Sequence, residues 1–313
     1  MIRFSILGPG RISHRFLKGC QYVKEAQVLS FASRNIKKAQ EYADLSNISK
    51  VYSYDELYQD KDIDAVYIST PPFVHYQQIK ACLLANKHVL CEKPLCETPQ
   101  QAQELFELAA KKHLLLMEAQ KEVFLPSYKR IQDILKNSDI GEPIMAQAGF
   151  TRDYGNLPND HWVFTMPCGG CMYDIGVYPL TELLSLFPSK KLDINRLDVY
   201  GEFYPKTSLV IMRNENNFLM TAKCSMAYEA DNELEIFCKN GTILFKDYWK
   251  GHTVETWIGS KHKCYNDSFE SEFTFEIQHF CDCIQNHLSQ SPILRNDITI
   301  QVLGIVANAN PKR

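Results

Sequence analysis

Short apolar runs alternate with amphipathic stretches through the first 120 residues. Residues 2–7 (IRFSIL), 26–32 (AQVLSFA), 64–69 (DAVYIS), 88–91 (HVLC) and 114–117 (LLLM) have the length and near-continuous apolar character of strands buried on both faces. Helical spacing between them predicts helices over 35–44, with Asn35 as N-cap, and over 74–85, with Ile79, Leu83 and Leu84 on one face. A third is predicted over 98–112, where Thr98 caps, Pro99 fills the first helical position and Leu105, Leu108 and Ala109 share a face. Strands alternating with helices imply crossover units, so residues 1–120 are expected to form an α/β domain with a doubly wound parallel sheet.

The rhythm then changes. Helical segments near 126–137 and 170–187 accompany extended runs at 143–150, 196–204, 207–213, 217–226, 233–239 and 242–246, separated by turn signals such as Asn240-Gly241. A final helix is expected over 269–288, with Phe273, Ile277, Phe280 and Ile284 at helical spacing. The pattern predicts a second domain, 121–313, of α+β type with a largely antiparallel open sheet.

A chain of 313 residues is long enough for two such domains. Hydrophobic residues make up 45% and charged ones 23%, which excludes disordered, collagen-like and coiled-coil classes. A net charge of −3 with interspersed signs offers no footprint for nucleic acid. The opening MIRFSILGPG is broken by Gly8 and Pro9 too early for a signal peptide, and no run approaches the ~20 apolar residues that span a bilayer. No membrane partner is expected. The 11 cysteines are odd in number and irregularly spaced, which fits reduced thiols in a cytoplasmic protein. Cys281-x-Cys283 has no suitably spaced histidine nearby, and Cys168-x-x-Cys171, formally a redox or half-zinc spacing, is read as a pair of small structural residues, so no metal site is expected.

Candidate chemistry begins at Gly8-Pro9-Gly10-Arg11-Ile12-Ser13, between the first strand and the first helix. Two glycines permit a tight turn and close approach of backbone to a pyrophosphate resting on the helix N-terminus, while the small Ser13 stands where a third glycine is usual. Alone, the motif also fits an ordinary turn; its placement points to a dinucleotide. About twenty residues on, a carboxylate would mark NAD. Here Ser33 and Arg34 stand instead, a pair that tolerates and can grip a 2′-phosphate, so NADP is favoured over NAD. A solvated basic helix start (Arg34, Lys37, Lys38) is the other reading.

Thr70-Pro71-Pro72-Phe73-Val74-His75 and Cys91-Glu92-Lys93-Pro94 each follow a strand, at the carboxyl edge where open parallel sheets bind ligands. Lys93, between an apolar strand and a proline, can polarise a carbonyl or help move a proton, with Glu92 holding it in place. Helix-start packing and direct chemistry both remain open for His75. Glu118 also falls near this edge. Arg152, Asp153, His161 and Trp162 occupy a loop that offers contacts to substrate.

The order GPGRIS, SR, STPPFVH, CEKP and GGCMYDIGVYPL resembles the Gfo/Idh/MocA oxidoreductase family, clearly over about the first 190 residues and by pattern beyond. The resemblance implies hydride exchange between a nicotinamide and a hydroxyl or carbonyl of a sugar, polyol or dihydrodiol-like molecule. It implies cofactor contacts from Gly8, Gly10, Arg11, Ile12, Ser33, Arg34, Thr70, Pro71, His75, Glu92 and Lys93. It also implies catalysis by Lys93, Asp174 and Tyr178, the last two from Asp174-Ile175-Gly176-Val177-Tyr178. Tyrosine at the final position resembles the branch of dimeric dihydrodiol dehydrogenase and NADP-dependent xylose dehydrogenase. On a helix, residues four apart face one way, which lets Asp174 orient substrate while Tyr178, assisted by Lys93, exchanges a proton. Homodimerisation through the second-domain sheet is a further implication. A nicotinamide-dependent glycosidase and a non-catalytic dinucleotide sensor are the alternative functions.

Overall fold

The computed structural model describes residues 1–136 and 139–307. Residue 137, in the expected helix over 126–137, and residues 308–313 of the expected second domain lie outside the described residues. The chain forms two compact units, one of residues 1–120 with 270–300, the other of residues 121–269 with the chain from Gln301 onward.

The first unit is built from β1 (Ile2–Leu7), α1 (Arg11–Cys20), β2 (Ala26–Ala32), α2 (Ile36–Leu45), β3 (Lys50–Tyr52), α3 (Tyr54–Gln59), β4 (Ala65–Ile68), α4 (His75–Leu84), β5 (His88–Glu92), α5 (Pro99–Lys111) and β6 (Leu116–Ala119). All six strands are parallel, in the order β3-β2-β1-β4-β5-β6, so strand order reverses at β1/β4. Phe4, Ile6, Val66, Tyr67, Ile68, Val89 and Leu90 are fully buried, as their unbroken apolar runs require. Two elements escape the sequence pattern. β3 is a three-residue strand at the sheet edge, half-buried throughout and too short to show a period. α3 follows it under a capping box in which Ser53 and Glu56 bond each other's backbone amides.

The second unit contains α6 (Pro126–Leu135), β7 (Pro143–Thr151), the single-turn α7 (Trp162–Thr165), a π-helical stretch Met172–Gly176 running into α8 (Val177–Leu186), then β8 (Leu192–Tyr200), β9 (Pro205–Asn214), β10 (Leu219–Ser225), β11 (Glu233–Cys238), β12 (Gly241–Lys246), β13 (Thr253–Ile258) and β14 (Lys261–Asn266). The strands form one sheet, β14-β13-β12-β11-β7-β10-β9-β8, antiparallel except for β7 beside β10. Among the described residues eight strands stand where six were expected: β13 and β14 were missed, the latter (KHKCYN) being largely exposed with no buried face to read. The expected strand 196–204 lies earlier, as β8. One sheet face is buried beneath helices through Ala146, Ala148, Val210, Met212, Met220, Ala222, Leu234 and Ile236.

The expected last helix is observed as α9 (Phe273–Gln285), and a further helix, α10 (Asn296–Ala307), follows it. α9 packs on the first unit, with Phe280 5.8 Å from Phe4 between ring centroids and Glu272, just before it, ion-paired to Arg15 of α1. No helix among the described residues is long and apolar enough to cross a membrane.

Candidate active site

The β1–α1 turn has the form a pyrophosphate needs. Gly8 has φ +96°, and a Cβ there would lie 2.6 Å from Thr70 Cγ2, so a side chain is excluded on both grounds. At Gly10, by contrast, a Cβ would meet nothing within 4 Å: the glycine opens a cradle at the start of α1. Ser13 repays its substitution for glycine. It is buried, its hydroxyl donates to Gly10 O at 2.7 Å, and it accepts from Gly10 N at 2.9 Å, closing the loop on itself. No acidic residue occupies the first turn of α1, where Arg11 is exposed and Ile12 half-buried, so nothing there repels an anion. These residues fit a dinucleotide.

At the end of β2, Ser33 is half-buried and accepts from Asn35 N at 3.1 Å, while Arg34 is exposed beside it. Asn35 caps α2 as expected, accepting from Lys38 N at 3.0 Å.

Beyond β4, Thr70 is half-buried and Pro71 exposed. His75 is fully buried, its two ring nitrogens set against Thr70 O (2.8 Å) and Pro94 O (2.9 Å), so the ring joins the loops that leave β4 and β5. Burial, the largest influence, lowers its pKa. The geometry is that of a loop staple. Glu92, at the end of β5, takes the Tyr67 hydroxyl at 2.5 Å, and the half-buried Lys93 follows, joined to Pro94 by a cis peptide. The loop is anchored by Glu118 of β6, which accepts from Leu95 N at 2.9 Å and from Thr299 Oγ1 at 2.9 Å. Burial pushes the Glu118 carboxyl up to about 7, against those hydrogen bonds.

In the second unit Asp174 lies in the π-helical stretch and Tyr178 in the first turn of α8, so their four-residue spacing is not that of a regular α-helix. The lead-in needs its glycines: Gly170 has φ +82°, and a Cβ there would lie 2.9 Å from Tyr204 Cβ. Cys168 and Cys171, either side of Gly169 and Gly170, are buried thiols. Both polar residues are held from the end of β7. Phe150 stacks on the Tyr178 ring at 5.0 Å, and four residues later the Tyr154 hydroxyl donates to Asp174 Oδ2. Lys121, in the turn after β6, places Nζ 4.9 Å from the centre of the Tyr178 ring and 5.3 Å from that of Trp249. Tyr154 also lines a cavity of about 510 Å³ with Phe164, Phe203, Tyr204, Asp153 and Lys206.

Of the loop residues singled out from sequence, Asp153 lines this cavity, while Arg152 lies 5.9 Å over the Tyr154 ring. Tyr154, Phe150 and Lys121 were missed; the local signal was a Lys-Glu pair one residue beyond β6. Among the described residues no group of three or more His, Cys, Asp or Glu side chains is placed to hold a metal ion.

Comparison with known proteins gives the family and the fold of the chain. The NAD-binding Rossmann domain of the Gfo/Idh/MocA oxidoreductase family matches residues 2–120, and the family's C-terminal domain matches residues 128–244. The trans-1,2-dihydrobenzene-1,2-diol dehydrogenase of Xenopus laevis is 28% identical over 305 residues, covering 93% of this chain and 92% of its own. The enzyme of the same name from Macaca fascicularis is 26% identical over 308 residues, covering 94% and 91%. Among solved structures, a 3-ketoreductase of Actinomadura kijaniata in complex with NADP and TDP-benzene superposes with a TM-score of 0.85 at 23% identity, covering 97% of this chain and 95% of that one. A UDP-N-acetylglucosamine 3-dehydrogenase of Acidithiobacillus ferrooxidans has the same fold, with a TM-score of 0.82 at 19% identity and the same coverage. With a phosphate loop closed by Ser13, a lysine loop at the carboxyl edge of the first sheet and both family domains matched in order, the chain belongs to the Gfo/Idh/MocA family of NAD(P)-binding oxidoreductases.

Proposed function

We propose that the protein transfers a hydride between NADP and a CH–OH or C=O carbon of a carbohydrate-like or dihydrodiol-like small molecule, with Lys93, Asp174 and Tyr178 as its catalytic residues. The observation that carries this reading is the pair of aromatic supports at the end of β7: Phe150 fixes the Tyr178 ring and Tyr154 fixes the Asp174 carboxylate. Two polar groups held that way suit gripping one carbinol and its neighbour.

Gly8, Gly10, Arg11 and Ile12 would hold the pyrophosphate, Ser33 and Arg34 the 2′-phosphate, and Thr70, Pro71, Glu92 and Lys93 the nicotinamide side, with His75 setting the two loops that carry them. Bound NADP supplies the hydride acceptor or donor. Tyr178 exchanges the proton of the reacting hydroxyl, Lys93 favours the negative charge that develops on that oxygen, and Asp174 accepts from an adjacent hydroxyl and fixes the face presented. The aromatic walls of the cavity beside Tyr154 suit the apolar face of a sugar or diol ring. The relatives named as a dihydrobenzenediol dehydrogenase support the same substrate class. Eleven free cysteines fit a reducing, cytoplasmic compartment. A homodimer is proposed through the uncovered face of the second sheet.

The test is kinetic. Lys93→Met should lower kcat by about 10³-fold with NADPH affinity unchanged, and near-normal turnover would overturn its role. Fluorescence titration should show NADPH binding at least about tenfold tighter than NADH, the difference disappearing in Arg34→Ala. Equal binding of the two in the native protein would remove the NADP preference and leave the enzyme class intact. A glycosidase would instead retain its cofactor and show no net change in NADPH absorbance.

A further inference from the structure

Behind the Tyr178 ring the second unit holds a cluster of ionisable side chains that the proposed chemistry does not use. Lys121 is only 5% exposed, although lysine is among the residues least often buried. Its neighbour Glu122 is fully buried, as is Glu182, one helical turn after Tyr178 on α8. Among the described residues neither carboxyl oxygen of Glu182 has a hydrogen-bond partner, and neither does the hydroxyl of the fully buried Tyr248. Charged groups in such a place are costly unless their charges offset one another. The groups that face this cluster are Lys121 and Glu122 from the turn after β6, Tyr128 from α6, Tyr178 and Glu182 from α8, Cys224 from β10 and Tyr248 after β12. Asp174 stands four residues before Tyr178 and is bonded to Tyr154.

Burial, and next the charge of Glu122, push the Glu182 carboxyl well above its usual range. Glu182 is therefore held toward its protonated form, with Glu122 and its chain neighbour Lys121 in the same cluster. Glu182, on the α8 side of Tyr178, favours its neutral form, while the Tyr178 ring face looks onto Lys121 Nζ 4.9 Å away. A tyrosinate spreads its charge into the ring, so a cation over that face favours the ionised form over the neutral phenol.

We propose that Lys121, backed by the buried Glu122/Glu182 carboxyl pair, is a positioning residue for Tyr178, stabilising the phenolate through the ring face and so setting the ease of its proton exchange. This assignment rests on the reading of Tyr178 as the proton-exchanging residue, yet its electrostatic content can be measured without turnover.

The experiment is NMR of the full chain labelled with [13Cζ]tyrosine, titrated between pH 6 and 11, with the Tyr178 signal identified by its loss in Tyr178→Phe. In Lys121→Met the Tyr178 midpoint should rise by at least about one unit, a tenfold change in proton affinity. Lys121→Arg should keep it within a few tenths. Glu182→Gln, which removes no charge, should also keep it. Glu122→Gln, which removes the counter-charge, should lower the midpoint further, and it stands in if Lys121→Met does not fold. An unchanged midpoint in folded Lys121→Met, or in Glu122→Gln, overturns the proposal, and a shift of a unit in Glu182→Gln overturns the charge assignment. Where turnover is measurable, the basic limb of kcat against pH should move with the NMR midpoint, whereas a merely structural lysine would change kcat without moving it. A protein that shows these shifts but no hydride transfer would sink the functional reading and leave the electrostatic one standing.

Discussion

A carboxylate is useful for orienting a substrate only if it is itself oriented. The Tyr154 hydroxyl does this for Asp174, the proposed orienting carboxylate, by donating to its Oδ2. Tyr154→Phe removes that donor and keeps the ring against the cavity. Hydrogen bonds to charged groups are worth roughly 1.5–3 kcal/mol, so kcat/KM should fall by about 10- to 100-fold. Steady-state kinetics on the best substrate checks this, and an unchanged kcat/KM would mean that Asp174 is fixed by its helix alone. Sequence made only part of this constellation readable. Lys93, Asp174 and Tyr178 sit in local motifs whose spacing carries meaning, whereas Tyr154 lies 20 residues from its partner in an irregular loop, where no periodicity links the two. Glu122 and Glu182 carry no sequence signal of their burial, because only the folded packing puts them inside.

At the scale of elements, the lysine loop is fixed from a neighbouring strand. Glu118 of β6 bonds the Leu95 amide, two residues after Lys93, and the Thr299 hydroxyl of α10. Burial raises the Glu118 carboxyl to about 7 from the 4.5 of an exposed glutamate. Between those values the folded chain keeps a proton that the unfolded chain has lost. The contribution of this group to stability is therefore complete below pH 4.5 and declines as pH rises to 7. The decline has a ceiling of about 3 kcal/mol. Glu118→Gln keeps an acceptor for Leu95 and cannot ionise, so urea unfolding at pH 5 and pH 8 should show the variant losing less stability over that interval than the native chain. Equal losses would show that Glu118 ionises normally. Elements were readable in proportion to their length and burial. The runs IRFSIL and AQVLSFA declare themselves, as do capped helices such as α2 and α5. The three residues of β3 and the exposed β14 bury too little to leave a period. The π-helical turn before α8 is invisible to spacing, since i and i+4 polar residues look the same whether the helix between them is tight or widened.

For the whole molecule, the consequence lies in the face of the second sheet that its own helices leave uncovered. Leu197 and Val199 of β8 are each 65% exposed, and Leu197 pairs with the half-buried Leu209 of β9. Across the same face, Ile211, Thr221, Gln147, Glu235 and Leu244 run in register from β9 to β12. A monomer rarely leaves so many apolar side chains on one flat surface. The polar members are mixed with them, which suits an isologous contact, where each residue meets the symmetry-related surface and like charges can be offset across the axis. The pattern could be read only once register was known, since β8 alternates no more clearly than a solvated edge strand. The expectation is a homodimer at micromolar concentration in sedimentation velocity. Leu197→Asp with Val199→Asp should convert it to a folded monomer, because two carboxylates on each subunit, four per interface, would have to be desolvated without partners. A native protein that sediments as a monomer across the concentration range would show that the sheet face is tolerated in water. A native dimer unchanged by the double substitution would place its contact on another surface.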